Sequence, residues 1–446
     1  MSDLSRRDFL QRTTAVVGGA LAIPSVMPAS ASAYYGVDDV IRVGLIGCGG
    51  RGTGAAYQAL ATAQNVQLVA MADAFRDQVD SCFENLTKES NDAEAAKVRE
   101  RVHVPEEHKF VGFDAYKEVI PLVDVVILTT PPGFRPMHFE AAVAADKQIF
   151  MEKPVATDAP GIRRVLAAAE EAKRKKLNVV VGLQRHYQTV YREWVERLHA
   201  GMIGDLVLAR VYWNSSGVWV RDRAGLEEKA GRKLTEMEYQ MRNWYYFNWL
   251  CGDHITEQHI HNLDVGNWVM QGYPVRANGQ GGREVRTGLD HGQIFDHHMV
   301  EFEYENGARM MSQCRHIQGC MNRVSEGFHG TNGSAPQPGT IVSASGHDLF
   351  KHNGKNDPNP YQVEHDELFA TIAAGEYKYA DAENGAYATL TSIMGRMATY
   401  TGREVTWDEA LNSDENLMPD VFAFDADPPV LPDADGRYPV PVPGRG

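Results

Sequence analysis

The stretch Ile41-Arg42-Val43-Gly44-Leu45-Ile46-Gly47-Cys48-Gly49-Gly50-Arg51-Gly52 decides the fold of this chain. Its first six residues are mainly apolar and predict a buried β-strand, and a Gly-x-Gly-x-x-Gly turn follows directly. In such a turn, Gly47 permits the tight bend, Gly49 lets the backbone approach a pyrophosphate, and Gly52 lets the next helix pack on the strand. The unpaired N–H groups that begin this helix attract phosphate. The pattern therefore predicts a dinucleotide-binding turn.

The chain around this turn alternates short apolar strands with helical stretches, which is typical of a parallel sheet with crossover helices. The predicted strands cover residues 41–46, 66–72, 123–129, 148–151 and 178–182, and helical runs include residues 138–145 and 161–175. We therefore expect an α/β Rossmann domain over residues 39–182.

An acidic residue at the end of the second strand bears on the choice of cofactor. Asp73 follows the glycine turn by about 20 residues, the spacing at which a carboxylate meets the adenosine ribose. A carboxylate there accepts hydrogen bonds from ribose hydroxyls and repels a 2′-phosphate, so we expect NAD, while the nearby Arg76 leaves NADP open. The alternative interpretation of Asp73 is a turn residue at a strand end.

Other strand ends should face the same crevice, because ligands of such sheets bind beyond the carboxyl ends of the strands. Lys153 follows a buried strand and could orient a substrate hydroxyl and stabilise an alkoxide, although an ion pair with Glu152 is the alternative. Gln184, Arg185 and His186, which follow the last predicted strand of this domain, also face this crevice. The predicted cofactor-binding residues are Gly47, Gly49, Gly50, Arg51, Gly52, Asp73, Thr129, Thr130, Pro131, Glu152, Lys153 and Gln184.

The pattern changes after residue 182 and predicts a second, α+β domain over residues 183–425. Alternating strands at residues 206–213, 294–305 and 308–317, with Asn306-Gly307 as a hairpin signal, indicate an antiparallel sheet covered on one face. The highly charged residues 221–241 predict a surface helix. The Pro-rich tail, residues 426–446, can be neither a helix nor a central strand. Its composition leaves an extended arm and a disordered tail equally open.

The segment from Gly252 to Asp264 concentrates groups that move protons. If a single helix begins near Asp253, then Glu257, His261 and Asp264 share one face and His259 points the other way. A histidine flanked by carboxylates suits the role of general base. A metal site and a hydrogen-bonded core histidine remain alternatives at this point, but no His-Glu-x-x-His or cysteine set supports a metal, and we predict none.

A run of aromatic residues precedes this segment. Trp244 and Tyr245 could form a platform for the apolar faces of a sugar ring, and a core position is an equal alternative. For Phe247 and Trp249 a core position is favoured.

Composition narrows the class of partner. The 446 residues carry 59 acidic and 44 basic side chains, a net charge of -15, which argues against nucleic acid or an anionic membrane as a ligand. No apolar run is long enough to span a membrane. The five cysteines are few and odd in number, and they predict no complete set of disulfides.

The first residues resemble an export leader. Ser5-Arg6-Arg7-Asp8-Phe9-Leu10 precedes an uncharged stretch over residues 13–26 and small residues that end at Ala33. This is the twin-arginine pattern, which exports folded proteins. We expect residues 1–33 to be removed and the mature protein to be periplasmic.

Together, the glycine turn, Glu152-Lys153-Pro154 and the Glu257/His261/Asp264 segment resemble the glucose-fructose oxidoreductase and inositol dehydrogenase (Gfo/Idh/MocA) family over residues 39–406. The resemblance implies a Rossmann domain and a second domain with a large, mainly antiparallel sheet that often forms an oligomer interface. We therefore expect a homo-oligomer, either a dimer or a tetramer.

The resemblance also implies hydride transfer between NAD(P) and a secondary alcohol of a sugar, glycoside or cyclitol. Lys153 and His261 match the catalytic lysine and the acid/base histidine of the family, and Asp264 matches a carboxylate three residues later. Glu257 stands where many members have aspartate, which keeps the charge but lengthens the side chain. The predicted substrate-binding residues are Glu257, Asp264, Arg185, Trp244 and Tyr245.

Export implies that the cofactor stays bound, because a dinucleotide is scarce outside the cytoplasm. One substrate would then reduce the cofactor and another would reoxidise it. Two alternatives stay open: a glycosidase that uses NAD transiently for oxidation and elimination, and a redox-inactive sugar-binding protein of the same fold. The histidine motif associated with the exported glycosidases, Gly-Asn-x-Tyr-Pro-Thr-His-Gly, does not occur in this sequence.

Overall fold

The computed structural model describes residues 39–445, so the predicted leader lies outside the described residues. The strands are β1 Ile41–Ile46, β2 Val66–Asp73, β3 Lys109–Val111, β4 Val125–Leu128, β5 Gln148–Met151, β6 Val179–Val181, β7 Leu206–Ser215, β8 Arg276–Gly282, β9 His297–Glu303, β10 Arg309–His316, β11 Arg323–Gly330, β12 Gly333–Gln337, β13 Thr340–Ser343, β14 Asp348–Lys351 and β15 Val405–Thr406.

The α-helices are α1 Gly50–Ala61, α2 Arg76–Thr87, α3 Ala93–Glu100, α4 Tyr116–Val119, α5 Arg135–Ala144, α6 Ala159–Lys175, α7 Thr189–His199, α8 Arg223–Ala230, α9 Glu236–Arg242, α10 Asn248–Cys251, α11 His254–Glu257, α12 Ile260–Met270, α13 Pro360–Ala373, α14 Ala382–Thr401 and α15 Trp407–Asn412. None of the helices within residues 39–445 is long and apolar enough to cross a membrane.

The N-terminal domain is the predicted Rossmann domain. Its six parallel strands stand in the order β3-β2-β1-β4-β5-β6. The central strand β4 is buried at every position because helices cover both faces of a parallel sheet. The sequence prediction missed β3, because three residues carry too little periodicity to be distinguished from a loop.

The second domain contains the predicted large sheet. Nine strands stand in the order β14-β13-β12-β11-β7-β10-β9-β8-β15, and β7 and β10 are its parallel pair. Asn306-Gly307 lies in the turn of the β9–β10 hairpin, as predicted, and Gly307 has a φ of 84°. The buried helices α12 and α14 cover one face of this sheet.

Two expectations for the second domain require correction. Residues 221–241 form two helices, α8 and α9, because Gly231 ends the first in a left-handed conformation and Thr235 caps the second. Residues 237–241 are buried, so α9 is not a solvated surface helix.

The C-terminal segment is an extended arm. Residues 413–445 contain no helix or strand, and they pack against both domains. All five cysteines lie within the described residues and are free.

Candidate active site

A cleft of about 760 Å³ lies at the carboxyl ends of the Rossmann strands and is walled on its other side by the second domain. The predicted site residues that line it are Gly47, Gly49, Gly50, Arg51, Gly52, Asp73, Thr129, Thr130, Pro131, Glu152, Lys153, Trp244, Glu257 and His261. The predicted residues outside the lining are Gln184, Arg185, Tyr245 and Asp264.

The glycine turn contains glycines of two kinds. A Cβ on Gly47 would lie 2.5 Å from Thr130 N, and one on Gly52 would lie 1.9 Å from Gly47 O, so packing within the protein requires both glycines. A Cβ on Gly49 or Gly50 would meet nothing within 4 Å. These two glycines keep space free in front of α1, whose N-terminus no side chain caps. Such a cradle fits a pyrophosphate.

Asp73 lies at the end of β2 and is bonded to the glycine turn. Its carboxylate accepts hydrogen bonds from Cys48 N at 2.8 Å and from Phe75 N at 3.0 Å. Burial raises the pKa of Asp73 to about 6. Each carboxylate oxygen keeps a free lone pair, so the group can still accept from ribose hydroxyls.

Arg51 extends from the first turn of α1 across the floor of the cleft. Its guanidinium pairs with Glu152 and, at 3.5 Å, with Glu364 of α13, and it lies 4.9 Å from the centre of the Tyr361 ring. Burial raises the pKa of Glu364 well above its usual range, and the Glu152 carboxylate acts in the same direction. This network fixes the start of α1 to the end of β5 and to α13.

Lys153 projects from the end of β5 toward the second domain. Its Nζ donates to the Glu257 carbonyl at 2.7 Å and lies 3.2 Å from Glu257 Oε1. The sequence suggests an ion pair with Glu152 as the alternative role of Lys153, but Glu152 is paired with Arg51. Glu257 therefore fixes the position of the Lys153 side chain in the lining of the cleft.

His261 lies on the opposite wall, at the start of α12, and its ring stacks on Trp213 with centroids 5.9 Å apart. Burial lowers its pKa well below the usual value, and the charge of Lys153 acts in the same direction. Its Nδ1 has no hydrogen-bond partner among residues 39–445. The ring is therefore neutral at neutral pH and can accept a proton.

The helix expected from Asp253 to Asp264 is interrupted, which corrects the sequence prediction. α11 ends at Glu257 and α12 begins at Ile260, so the two residues between them break the helix. Glu257 and His261 still meet in the cleft. Asp264 is buried beneath it, where it lies 2.8 Å from His186 Nε2 and accepts from Asn384 at 3.1 Å.

Three other predicted residues lie around the cleft. Arg185 is buried in an ion pair with Glu326, which also accepts from Tyr191 at 2.8 Å. Gln184 donates to the Tyr361 hydroxyl at 3.1 Å. Tyr245 is buried behind Trp244, its hydroxyl unpartnered within the described part of the chain, and burial raises its pKa.

Sequence reasoning missed many side chains of this cleft, among them Trp213, Gln258 and Tyr361. Gln258 Oε1 lies 2.8 Å from His316 Nε2, and His316 Nδ1 lies 2.6 Å from Arg286. Because Arg286 only donates, His316 donates to the Gln258 oxygen, and the Gln258 amide is fixed as a donor. No local pattern in the sequence marks Gln258 or Tyr361 as residues of this cleft.

Within residues 39–445, one cluster of side chains has the chemistry of a metal site. It consists of the buried residues Asp253, His254 and His298. The Asp253 carboxylate already accepts from Phe295 N at 2.8 Å and from the Tyr400 hydroxyl at 2.5 Å. The Arg286 guanidinium lies 3.5 Å from His254 Nδ1, and its positive charge would repel a metal ion bound there. We interpret the cluster as a structural hydrogen-bond network.

The fold and the cleft together define a two-domain protein with a dinucleotide-binding Rossmann domain. Residues 41–181 match the family GFO_IDH_MocA, described as an oxidoreductase family with an NAD-binding Rossmann fold. The Rossmann domain of this chain is therefore similar to the Rossmann domains of that family.

Similar proteins extend this match beyond the Rossmann domain. Inositol 2-dehydrogenase of Cereibacter sphaeroides is 26% identical over 270 residues, which are 60% of this chain and 65% of that protein. Inositol 2-dehydrogenase of Serratia proteamaculans is 31% identical over 274 residues, covering 60% and 66% of the two chains. The chain thus covers about two thirds of the length of these relatives.

The whole fold is shared with solved structures. The scyllo-inositol dehydrogenase of Lactobacillus casei, solved with NAD(H) and scyllo-inositol, superposes with a TM-score of 0.59. The alignment covers 83% of this chain and 99% of that chain at 17% identity, so the likeness establishes the fold.

Proposed function

We propose that this protein is an NAD-dependent oxidoreductase that oxidises or reduces a secondary hydroxyl of a sugar, glycoside or cyclitol. The observation that carries the proposal is that Lys153 and His261 meet in the same cleft as the glycine turn and Asp73. A phosphate cradle and a proton-transfer pair within one cleft fit a cofactor with a hydroxyl substrate at its reactive end.

Different side chains of the cleft have different roles in the proposed reaction. Neutral His261 accepts the proton of the substrate hydroxyl, and the Lys153 ammonium donates to the same oxygen as negative charge develops there. Glu257 holds Lys153 in place, and the Gln258 amide offers a donor to a neighbouring hydroxyl. When bound, NAD supplies the acceptor for the hydride that leaves the carbon.

We propose further that the mature protein acts in the periplasm with its cofactor retained. Support comes from the twin-arginine pattern of residues 1–33 and from the absence of a cofactor pool outside the cytoplasm. The reaction then needs two substrates, one sugar or cyclitol that reduces the cofactor and a carbonyl compound that reoxidises it.

A paired-substrate assay tests this function. Purified protein is mixed with a sugar or cyclitol and a keto-sugar acceptor, without added NAD, and both products are identified by mass spectrometry. Stoichiometric oxidation and reduction support the proposal. Release of an aglycone from a glycoside would favour the glycosidase, and sugar binding without any conversion would favour the redox-inactive binding protein.

We also propose a homo-oligomer that associates through the outer face of the large sheet, the face that α12 and α14 leave uncovered. Light scattering coupled to size exclusion measures the mass. A monomeric mass at micromolar concentration would contradict this proposal.

A further inference from the structure

A segment of the second domain forms the wall of the cleft that faces the end of β2. We call residues 217–245, which include α8 and α9, the strap. Its cleft-lining side chains include Leu226 and Met241, which are apolar, and Arg221 and Lys229, which are cationic. They face the part of the Rossmann domain that contains Asp73, Phe75 and Asp77, where the adenosine of a dinucleotide belongs.

One ion pair fixes the strap to the Rossmann domain. Arg242 donates to both oxygens of Asp77, at 2.7 and 2.8 Å, and its guanidinium lies 3.7 Å from the centre of the Phe75 ring. The hydrogen bonds from Arg242 lower the pKa of Asp77. Phe75 in turn donates its N–H to Asp73, so the strap is connected through Phe75 to the predicted ribose carboxylate.

The C-terminal arm, residues 413–445, reaches the same place from outside. Phe424 packs on Phe113 and Phe75, with ring centroids 4.8 and 5.2 Å apart, and Phe422 packs on Phe134 at 5.6 Å. The three phenylalanines of the Rossmann domain all line the cleft. The arm therefore supports the aromatic wall of the cleft from behind.

The arm is held at several points along its length. Leu417 N donates to Asp158 of the Rossmann domain at 2.8 Å, and Gln240 of the strap donates to the Val430 carbonyl at 2.7 Å. Farther along, the Tyr438 hydroxyl accepts from Arg223 of the strap at 3.0 Å. One continuous segment thus joins the Rossmann domain to the strap.

We propose that the strap and the arm complete the adenosine half of the dinucleotide site and retain the cofactor between turnovers. Leu226 and Met241 supply apolar surface to the adenine, and Arg221 and Lys229 supply positive charge to this end of the cleft. Release requires the Arg242–Asp77 pair to open and the phenylalanine contacts to loosen. The inference rests on the proposed function, because it concerns the same cofactor.

The rate at which bound cofactor leaves tests the inference. Holoprotein is diluted, samples are desalted at intervals, and the NAD that remains bound is measured by mass spectrometry. Arg242→Met and Phe424→Ala should each raise the dissociation rate constant, by about tenfold, because each removes a contact that holds the strap or the arm against the Rossmann domain.

Matched controls come from the same two segments. Arg232→Met removes a two-point ion pair with Glu238 on the strap, and Val421→Ala shortens an exposed side chain of the arm. Neither residue lines the cleft, so both variants should release NAD at the wild-type rate. Arg242→Met and Phe424→Ala releasing NAD at the wild-type rate would overturn the inference and leave the proposed function intact.

Hydrogen exchange of the unmutated protein gives a second measurement that does not depend on variants folding. Addition of NAD to cofactor-free protein should slow amide exchange in residues 217–245 and 413–445 as well as in the glycine turn. Protection confined to the Rossmann domain would overturn the inference. Protection nowhere would mean that NAD does not bind, which would contradict the proposed function itself.

Discussion

His261 is the residue whose environment most directly determines the proton transfer. Its burial keeps the ring neutral, and Lys153 across the cleft disfavours a second positive charge. We predict that His261→Asn lowers kcat by about 10²- to 10⁴-fold, the usual contribution of a general base. The amount of bound NAD should not change. The exposed His347 provides the control, since His347→Asn should leave kcat unaltered.

Asp73 gives the site a predictable response to acid. In the proposed complex, ribose hydroxyls would donate to the ionised carboxylate, and burial raises the pKa of Asp73 to about 6. As pH falls through this value the carboxylate gains a proton, so NAD should be released faster, and the release rate should level off once the carboxylate is fully protonated. Release rates measured across this range check the slope. Asp73→Asn should release NAD quickly at every pH, and an unchanged slope in this variant would disprove the assignment.

The surroundings of Arg185 differ from those that its position in the sequence suggests, because residues far away in the chain pack around it. Its position after β6 predicted a substrate contact, yet the structure buries it against Glu326 on β11. We predict that Arg185→Met costs about 3–5 kcal/mol of unfolding free energy, because it leaves a buried carboxylate without its partner. Chemical denaturation measures this change. A large rise in KM with unchanged stability would restore the substrate-binding role.

The turn between β1 and α1 allows folding and cofactor binding to be separated. A Cβ on Gly52 would collide with Gly47 O, whereas a Cβ on Gly49 would point into open space. Gly52→Ala should therefore destabilise the protein by roughly 1–3 kcal/mol through overpacking. Gly49→Ala should keep the wild-type Tm and lose bound NAD. A normal NAD content in folded Gly49→Ala would place the cofactor elsewhere.

Several elements could be predicted because their signals are local. The glycine turn, the hairpin at Asn306-Gly307 and the strand that ends at Asp73 each have a characteristic pattern within a few residues. The three-residue strand β3 and the break between Glu257 and Ile260 have no such pattern. Pairing with β2 creates the strand β3, and tertiary packing creates the break in the helix.

At the scale of the molecule, the site is built from segments that are far apart in sequence. Lys153 belongs to the Rossmann domain and His261 to the second domain, and Tyr361 reaches the cleft from α13. The resemblance to a known family predicted the first two, since the residues of each motif lie close together in the sequence. No local pattern indicated that residues 217–245 and the C-terminal arm would surround the same cleft, because only the folded chain brings them together.

The most direct test of the central claim is to denature the purified mature protein and quantify the released nicotinamide dinucleotide by mass spectrometry. We predict close to one equivalent of NAD per chain, because we propose that the cradle, Asp73, the strap and the arm together retain the cofactor. Absence of any dinucleotide, together with no binding of added NAD, would contradict the claim that this cleft is the site of an NAD-dependent oxidoreductase.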